Sequence, residues 1–464
     1  MIHPMVRRSG FGPRLPSRTS PQSVLEASPH RMLATADLSA APAHDAQAPW
    51  LETTYALQTF REFQQARRAA RELVDAHRAA TGGTLSRRDA LAEVGAPDVD
   101  GRDIYHGQLQ ARFSAAIDAE IGYRERLVWF WGNHFAVSAG GGVRRLRPGL
   151  LEAEAIRPHV DGSFADMLLA VSTHWAMLGY LNGNASIGPM SRVGLRRERG
   201  LNENWAREIL ELHTVGVGGG YTQPDVVALA EILTGWRYYQ MRSDDRGQFL
   251  FQAGRHEPGP KTLLGKTYPE DGFEQGVAAL QDLARHPSTA RHLATKLARH
   301  FIADDPPERL VQELAAVFLE TGGDLAAVSQ ALIESPEAQE ASPAKLRLPQ
   351  EFLVAMLRAT GVELEPRLID RMCRIMGQPV WQPPGPDGFP DTVDYWLSPE
   401  GMKRRLDVAM AVAERVDPTL EPIDVLEVVI GDIASDDTRW AVARAESRQQ
   451  AFALLFMSPE FQWR

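Results

Sequence analysis

Cysteine is almost missing from this sequence, since Cys373 is the one cysteine in 464 residues. An intrachain disulfide framework is therefore excluded, as is typical of a protein from a reducing compartment. Long apolar runs are missing too, because none approaches the roughly 18 residues that a membrane helix needs. Basic charge is not in excess, since the formal net charge is −10, and this argues against a general nucleic-acid binder. We therefore expect neither a membrane span nor a nucleic-acid partner.

The remaining composition, 44% hydrophobic and 24% charged residues, is that of an ordinary globular protein. Residues 1–50 are the exception, because they are rich in Pro, Ala, Ser and His and show little periodicity. We predict an extended or partly disordered segment there. Arg7 and Arg8 resemble a twin-arginine export signal, but no apolar h-region follows them. The residues on their own therefore predict a cytoplasmic protein.

Helical periodicity dominates the chain after the N-terminal segment. Residues 106–137 are predicted to form a long helix that is broken near Gly122. Strand-like alternation is scarce, and the best example is 236–268, where WRYYQM and GQFLFQ flank the polar turn SDDR. The predicted fold class is mainly α, with a small β-hairpin inserted near 236–268.

The most unusual stretch is GLNENWAREILELHTVGVGGGYTQPDVVALAEILTGW, residues 200–236. Its pattern predicts a helix, a glycine-rich turn and a second helix. Gly216 is expected to end the first helix, and Thr222 is expected to cap the second with Asp225 as its capping-box partner. The alternative for the turn is an anion cradle, although it lacks the lysine and the spacing of a phosphate-binding loop.

One face of the first predicted helix is polar. At about 100° per residue, Asn204, Glu208 and Glu211 fall in one sector with Arg207 at its edge, and Asn202 is expected to be the N-cap. Glu208 and Glu211 are candidates for acid and base, or for ligands of a divalent cation. The candidate substrate-binding residues are Asn202, Asn204 and Arg207. The alternative is a solvated face on which Arg207 pairs with Glu211.

A second candidate group lies between chain breakers in HEPGPKTLLGK. His256 and Lys261 are predicted to be loop residues, and a rigid scaffold often presents binding groups on such loops. If this loop folds over the polar face at 204–211, it adds an imidazole and an ammonium to two carboxylates. We therefore assign His256 and Lys261 to the catalytic group together with Glu208 and Glu211.

Three histidines lie on apolar helix faces: His134, His174 and His213. A lone histidine in such a position is more often a hydrogen-bonded core residue than a ligand. The alternative is that the three helices converge on one transition metal, because imidazole suits zinc, iron, copper and nickel. The sequence contains no HExxH motif and no Gly-x-Ser-x-Gly nucleophile elbow. A divalent metal therefore stays an open alternative, and the cofactor is unknown.

Several blocks carry a family resemblance. They are RRSGFGPR (7–14), RERLVWFWGNHFAVS (124–138), AMLGYLNGNAS (176–186), the 202–236 stretch, HEPGPKTLLGKTY (256–268), ATKLARHF (294–301) and the closing SPEFQ. In this order they resemble the bacterial domain-of-unknown-function 1800 family, and the 202–236 block is the most specific. The resemblance implies one large helical domain, here 51–464, and leaves the biochemical role open. It also implies that relatives are often exported and encoded beside a sulfatase-like family, which suggests a sulfatase-like protein partner.

Two classes of function follow from these observations. The first is a metal-dependent or acid–base-dependent enzyme, hydrolase-like, with a polar cleft on helix 202–213. The second is a non-catalytic partner or scaffold protein that presents the same motif to another protein. The two differ in whether substitution of the Glu208 and Glu211 carboxylates abolishes turnover or only the binding of a partner.

Overall fold

A computed structural model describes residues 60–82, 86–94, 101–119, 122–197, 200–239, 247–339 and 344–464. The predicted N-terminal segment, residues 1–50, lies outside the described residues. So does the polar turn that was predicted to join the two strands of the hairpin. The described part is mainly α, as predicted, with two small antiparallel strand pairs.

The helices that precede the central stretch are short to medium in length. They are α1 (Phe60–Thr81), α2 (Arg87–Glu93), α3 (Gly101–Asp118), α4 (Tyr123–His134), α5 (Arg147–Leu151), α6 (Phe164–Thr173), α7 (Trp175–Tyr180) and α8 (Gly194–Arg197).

The central stretch forms α9 (Glu203–Glu208), which continues as a π-helix over Ile209–His213. Helix α10 follows, and then come the strands and two further helices. Their bounds are α10 (Gln223–Ile232), β1 (Trp236–Tyr238), β2 (Phe249–Phe251), β3 (Lys261–Leu263), β4 (Lys266–Tyr268), α11 (Phe273–Ala284) and α12 (Pro287–Phe301).

The C-terminal part is helical up to the last residues. Its helices are α13 (Glu308–Glu320), α14 (Leu325–Glu334), α15 (Pro336–Gln339), α16 (Pro349–Thr360), α17 (Pro366–Ile375), α18 (Val393–Trp396), α19 (Pro399–Ala413), α20 (Pro422–Ile430), α21 (Asp436–Ala443), α22 (Arg448–Met457) and α23 (Pro459–Gln462).

One large cluster of buried apolar side chains runs from Tyr105 in α3 to Phe461 in α23. Helices α1 and α2 pack through a separate small cluster that includes Val74 and Leu91. The single-domain boundary at 51–464 stays a prediction. None of the helices in the described ranges is long and apolar enough to cross a membrane.

The local signals in the sequence produce the expected breaks and caps. Gly122 has φ of +84° and separates α3 from α4, because a left-handed residue at this point favours glycine. The 203–213 helix ends just before Gly216, which has φ of +82°. The Gly216 N–H donates to the Leu210 carbonyl. Thr222 caps α10 with Asp225 as its capping-box partner. The glycine turn is therefore helix-capping structure, as one of the two interpretations had it.

The predicted hairpin is confirmed in strands β1 and β2, which pair with Trp236 opposite Phe251. A second hairpin, β3–β4, was not predicted, and it changes the place of Lys261. This lysine was expected in a loop, but it begins β3 and pairs with Tyr268. The tight turn at Leu264–Gly265 makes the second hairpin, because both residues have positive φ values of 48° and 78°.

Candidate functional site

The polar face of α9 is present, but its residues have different structural roles. Asn202 is the N-cap, since its Oδ1 accepts from the Asn204 N–H at 3.1 Å. Its amide nitrogen donates to the Leu181 and Asn182 carbonyls. Asn204 is exposed. Asn202 therefore fixes the start of α9, and its role in substrate binding stays a prediction.

The two carboxylates of this face are half-buried neighbours. Burial raises the pKa of Glu208, and the charges of Glu211 and Asp387 raise it further. Glu211 accepts a hydrogen bond from the Tyr221 hydroxyl at 3.2 Å. Arg207 takes Glu203 as its i, i+4 partner at 3.3 Å and donates to Gln223 at 2.9 Å. Arg207 therefore pairs with Glu203 instead of Glu211, and Glu208 has no ion pair among the described residues, although the charge of Arg207 acts on it.

The side chains of His256 and Lys261 are held by hydrogen bonds to nearby backbone carbonyls. Lys261 Nζ donates to the carbonyls of Glu257, Pro258 and Gly259 at 2.6, 3.1 and 2.6 Å. Three acceptors use all three protons of an ammonium group. His256 is buried, and its Nδ1 donates to the Thr234 carbonyl at 3.0 Å. The catalytic assignment of these two residues stays a prediction, and Glu208 takes its electrostatic neighbours from elsewhere.

We expect Lys261→Met to lower the free energy of unfolding by about 1–3 kcal/mol, because three carbonyls lose their donor in a buried site. Urea unfolding measures this, and Lys266→Met is the control, since Lys266 pairs with Asp282 on the surface. Turnover should survive the Lys261 substitution. Loss of turnover with unchanged stability would instead support the catalytic assignment of Lys261.

Two of the three predicted histidines come together, and a fourth histidine joins them. The rings of His134 and His213 are 6.0 Å apart between centroids, and His292 lies 6.1 Å from His134. His174 lies elsewhere and contacts Glu154 at 2.8 Å. Among the described residues, no three His, Cys, Asp or Glu side chains are grouped to hold a metal ion. The histidine cluster is therefore a buried neutral group around another side chain.

That side chain is Lys296, whose Nζ lies 3.0 Å from His134 Nδ1. His134 Nε2 lies 3.2 Å from the His213 carbonyl oxygen, which only accepts, so Nε2 carries the proton and Nδ1 accepts from Lys296. Burial and the charge of Lys296 lower the pKa of His134 well below its usual range. Burial also lowers the pKa of Lys296 to about 8. The histidine is therefore neutral, and the lysine is a stronger acid than usual.

Lys296 is half-buried, and its surroundings differ from those of the buried Lys261 and Lys345. The five lysines are Lys261, Lys266, Lys296, Lys345 and Lys403. Lys345 is buried and pairs with Asp304 and with Asp391 at 3.2 Å. Lys261 has its three carbonyls, whereas Lys296 has a neutral imidazole and no carboxylate at ion-pairing distance within the described ranges. A half-buried cation without a direct ion pair is costly, although the charges of Asp391 and Asp387 offset part of that cost, and such a cation is a mark of functional sites.

Lys296 lies on the wall of a cavity of about 290 Å³. Helices α4, α12 and α16 and the loop 377–392 form the walls. The lining includes Trp129, Phe130, Asn133 and His134 from α4, Lys296, Arg299 and His300 from α12, Gln350 and Glu351 from α16, and Gln378, Trp381, Asp387, Phe389 and Asp391 from the loop.

The loop is fixed over the cavity by α4. Asn133 Nδ2 donates to the Phe389 carbonyl at 2.9 Å, and the Phe389 N–H donates to Asn133 Oδ1 at 2.7 Å. Gly388 has φ of +84°, and a Cβ there would lie 2.4 Å from the Asn133 carbonyl oxygen. Only glycine therefore lets the loop approach α4 so closely.

A charge network supports the inner wall. Glu351 accepts from Arg126 at 3.2 Å, from Arg464 at 3.1 Å through each oxygen, and from the Leu348 N–H at 3.0 Å. Burial opposes its ionisation, but the two arginines lower its pKa to about 2. His300 Nδ1 lies 2.6 Å from Asp391 Oδ2 on the same wall. These groups compensate one another, in contrast to Lys296.

Asp387 connects the cavity with the polar face of α9. It is an exposed residue of the loop, and its charge acts on Lys296 and raises the pKa of Glu208. It also acts on Tyr180 together with Glu208. The sequence-predicted Glu208 and the unpredicted Lys296 therefore lie within electrostatic reach of one carboxylate.

Lys296 and His300 were not among the candidate residues that the sequence indicated. The available signal was the spacing of His292, Lys296 and His300 at four-residue intervals on α12. Such spacing puts polar groups on one face of a helix whose other positions are rich in Leu and Ala. The His134 partner and the 377–392 loop carried no signal that would link them to α12.

Fold and site together define a mainly α protein with a lysine-containing cavity between packed helices. The chain belongs to the DUF1800 family, described as a protein of unknown function, and the match covers residues 4–463. This confirms the resemblance that the sequence blocks indicated. No curated protein and no solved structure matches the chain.

Proposed function

We propose that this protein is an enzyme that uses general acid–base chemistry of the hydrolase kind, with its acid in the cavity between α4, α12 and the 377–392 loop and its base on the polar face of α9. The supporting observation is the Lys296 ammonium, which lies 3.0 Å from a neutral His134. Perturbed groups of this kind concentrate at functional sites because catalysis needs a pKa near the working pH.

The roles follow from the two pKa shifts. Lys296, with a pKa of about 8, is charged at neutral pH and donates a proton to the leaving group. Glu208, whose pKa is raised by burial, Glu211 and Asp387, accepts a proton from the attacking water. Glu211 acts through Glu208 as a like charge. Lys296 lines the cavity, whereas Glu208 lies outside its lining on the α9 face, and the charge of Asp387 at the cavity edge acts on both groups.

The metal-dependent form of the proposal is less favoured, because the described residues offer no group of three or more His, Cys, Asp or Glu ligands. A non-catalytic protein that presents the α9 face to a partner is the alternative. The sulfatase-like protein that the family resemblance suggests is the first partner to examine.

A panel of chromogenic esters, phosphate esters and glycosides tests the proposal. For a substrate that is turned over, we expect kcat/KM to fall above about pH 8 as Lys296 loses its proton, and to fall in acid as Glu208 gains one. Glu208→Gln should lower kcat about 10²- to 10⁴-fold. Glu203→Gln, on the same helix, is the control and should keep turnover.

Two outcomes would contradict this proposal. Turnover that is lost with a chelator and restored by a divalent cation would support the metal-dependent form instead. Unchanged turnover in Glu208→Gln would show that Glu208 is not the general base. If no substrate reacts and Glu208→Gln abolishes binding of the sulfatase-like protein, the non-catalytic alternative is the function.

A further inference from the structure

The charges that line the cavity divide into those that are paired and those that are not. Arg112 pairs with Glu152 at 3.0 Å. Glu351 is held by two arginines, and Asp391 by Lys345 and His300. Among the described residues, three charges at the cavity have no ion pair: Lys296, Arg299 and Asp387.

The two remaining cations lie on one wall. Lys296 and Arg299 are three residues apart on α12, which places them on the same face of the helix. Arg299 Nε donates to the Asp304 carbonyl at 2.9 Å, which orients the guanidinium and leaves its outer nitrogens without an ion pair in the described ranges. Asp387 is exposed at the cavity edge, so solvent screens its charge more strongly.

A neutral donor lines the same cavity. Gln378 Oε1 accepts from the Gln350 N–H at 2.9 Å, which assigns the oxygen and leaves the NH₂ group on the other side of the amide. The available groups are thus an ammonium, a guanidinium fork and an amide NH₂. All three donate, and a guanidinium fork matches the geometry of a carboxylate or phosphate group.

We propose that this cavity binds a small organic anion, whose carboxylate or phosphate group lies between Lys296 and Arg299. The volume of about 290 Å³ is at the lower end of ligand-binding cavities, so the ligand is small. Phe389 and Trp381 on the loop cover its apolar part. This inference rests on the proposed function, since the anion is the substrate class of the same site.

Thermal unfolding with added ligands tests the inference. The probes are lactate and glycerol 3-phosphate, and lactamide and glycerol are the matched neutral compounds, all at constant ionic strength. We expect a saturable rise of Tm with at least one anion and none with the neutral compounds. The two anions distinguish a carboxylate ligand from a phosphate ligand.

Variants locate the binding. Arg299→Gln should raise the Kd of the anion about ten-fold or more, because a charge-assisted hydrogen bond is lost. If Arg299→Gln does not fold, Lys296→Met provides the same comparison. Arg291→Gln is the control, since Arg291 pairs with Glu308 on the exposed side of α12. It should leave the Kd unchanged.

The inference is overturned if neither anion gives a saturable shift at millimolar concentration. Equal binding of the neutral compounds, or an unchanged Kd in Arg299→Gln, also overturns it. Anion binding without turnover of any substrate would contradict the proposed catalytic function and leave the anion site in place. Turnover of neutral substrates without anion binding would contradict the anion site and leave the catalytic function in place.

Discussion

Lys296→Met is expected to lower turnover about 10²- to 10⁴-fold, because the general acid is lost. The same substitution should raise the free energy of unfolding at pH 7. Methionine has a similar length and fills the space without a charge, so the cost of partly desolvating the ammonium is removed. The expected gain is about 1–3 kcal/mol, from a pKa that falls from 10.5 to about 8.

The sign of the pH dependence follows from that shift. Between pH 8 and 10.5 the unfolded chain keeps its proton on Lys296 and the folded chain releases it. Stability of the wild type therefore rises with pH across this window, and the advantage of Lys296→Met disappears above it. Below about pH 8 the advantage is complete. Urea unfolding at pH 7 and at pH 10 measures the difference.

Lys345→Met is the matched control for this prediction. Lys345 is more deeply buried than Lys296, and it pairs with Asp304 and Asp391. Its removal leaves two carboxylates without their cation and should destabilise the fold. Similar destabilisation by both substitutions would show that Lys296 is a structural lysine and would contradict the account.

Glu351→Gln is expected to give the largest loss of stability, about 3–5 kcal/mol in the free energy of unfolding. The amide lacks the charge that compensates Arg126 and Arg464, and its NH₂ group faces their donors. Burial already disfavours the charged form of Arg126 and lowers its pKa to about 9. The substitution should also disturb the cavity wall, since His300 Nε2 lies 3.7 Å from the Glu351 carboxylate.

Acid dependence gives a second test of Glu351. Its folded pKa of about 2 lies below the ordinary 4.5, so its stabilisation is complete above pH 4.5 and is lost as the pH falls toward 2. The difference in the free energy of unfolding between wild type and Glu351→Gln should become smaller as the pH falls through that range. Glu308→Gln is the control, because its pair with Arg291 is exposed and should matter little. Equal effects of the two substitutions would contradict the role of the buried network.

Much of the fold could be predicted because its signals are local. Gly122 breaks the long helix, Thr222 and Asp225 cap α10, and the β1–β2 hairpin follows from alternation around a polar turn. The second hairpin was missed because its strands lie directly after the Pro and Gly chain breakers of HEPGPKTLLGK, and such breakers indicate a loop. Lys261 was consequently expected in a loop.

The candidate site could be predicted only in part. Glu208 was identified from helical phase, because its neighbours Asn204 and Glu211 are close in sequence. The cavity was not, since it joins His134, Lys296 and Asp387 from three distant regions of the chain. Sequence periodicity gives the face of each helix, but packing decides which faces meet. The lowered pKa of Lys296 exists only after that packing.

The C-terminal end of the π-helix at Ile209–His213 binds two of the histidines. The last carbonyls of a helix have no partner within the helix, and those of Leu212 and His213 accept from His292 at 3.1 Å and from His134 at 3.2 Å. Segments of this kind are frequent at functional sites. The stretch with the most unusual sequence thus orients the imidazole that contacts Lys296.

The ionisation of Lys296 is the central point, and NMR of protein with ¹³Cε-labelled lysine measures it directly. The chain has only five lysines, so the spectrum is simple, and Lys296→Met assigns the resonance that disappears. We expect this resonance to titrate at about pH 8. Titration near 10.5, the ordinary lysine value, would contradict it.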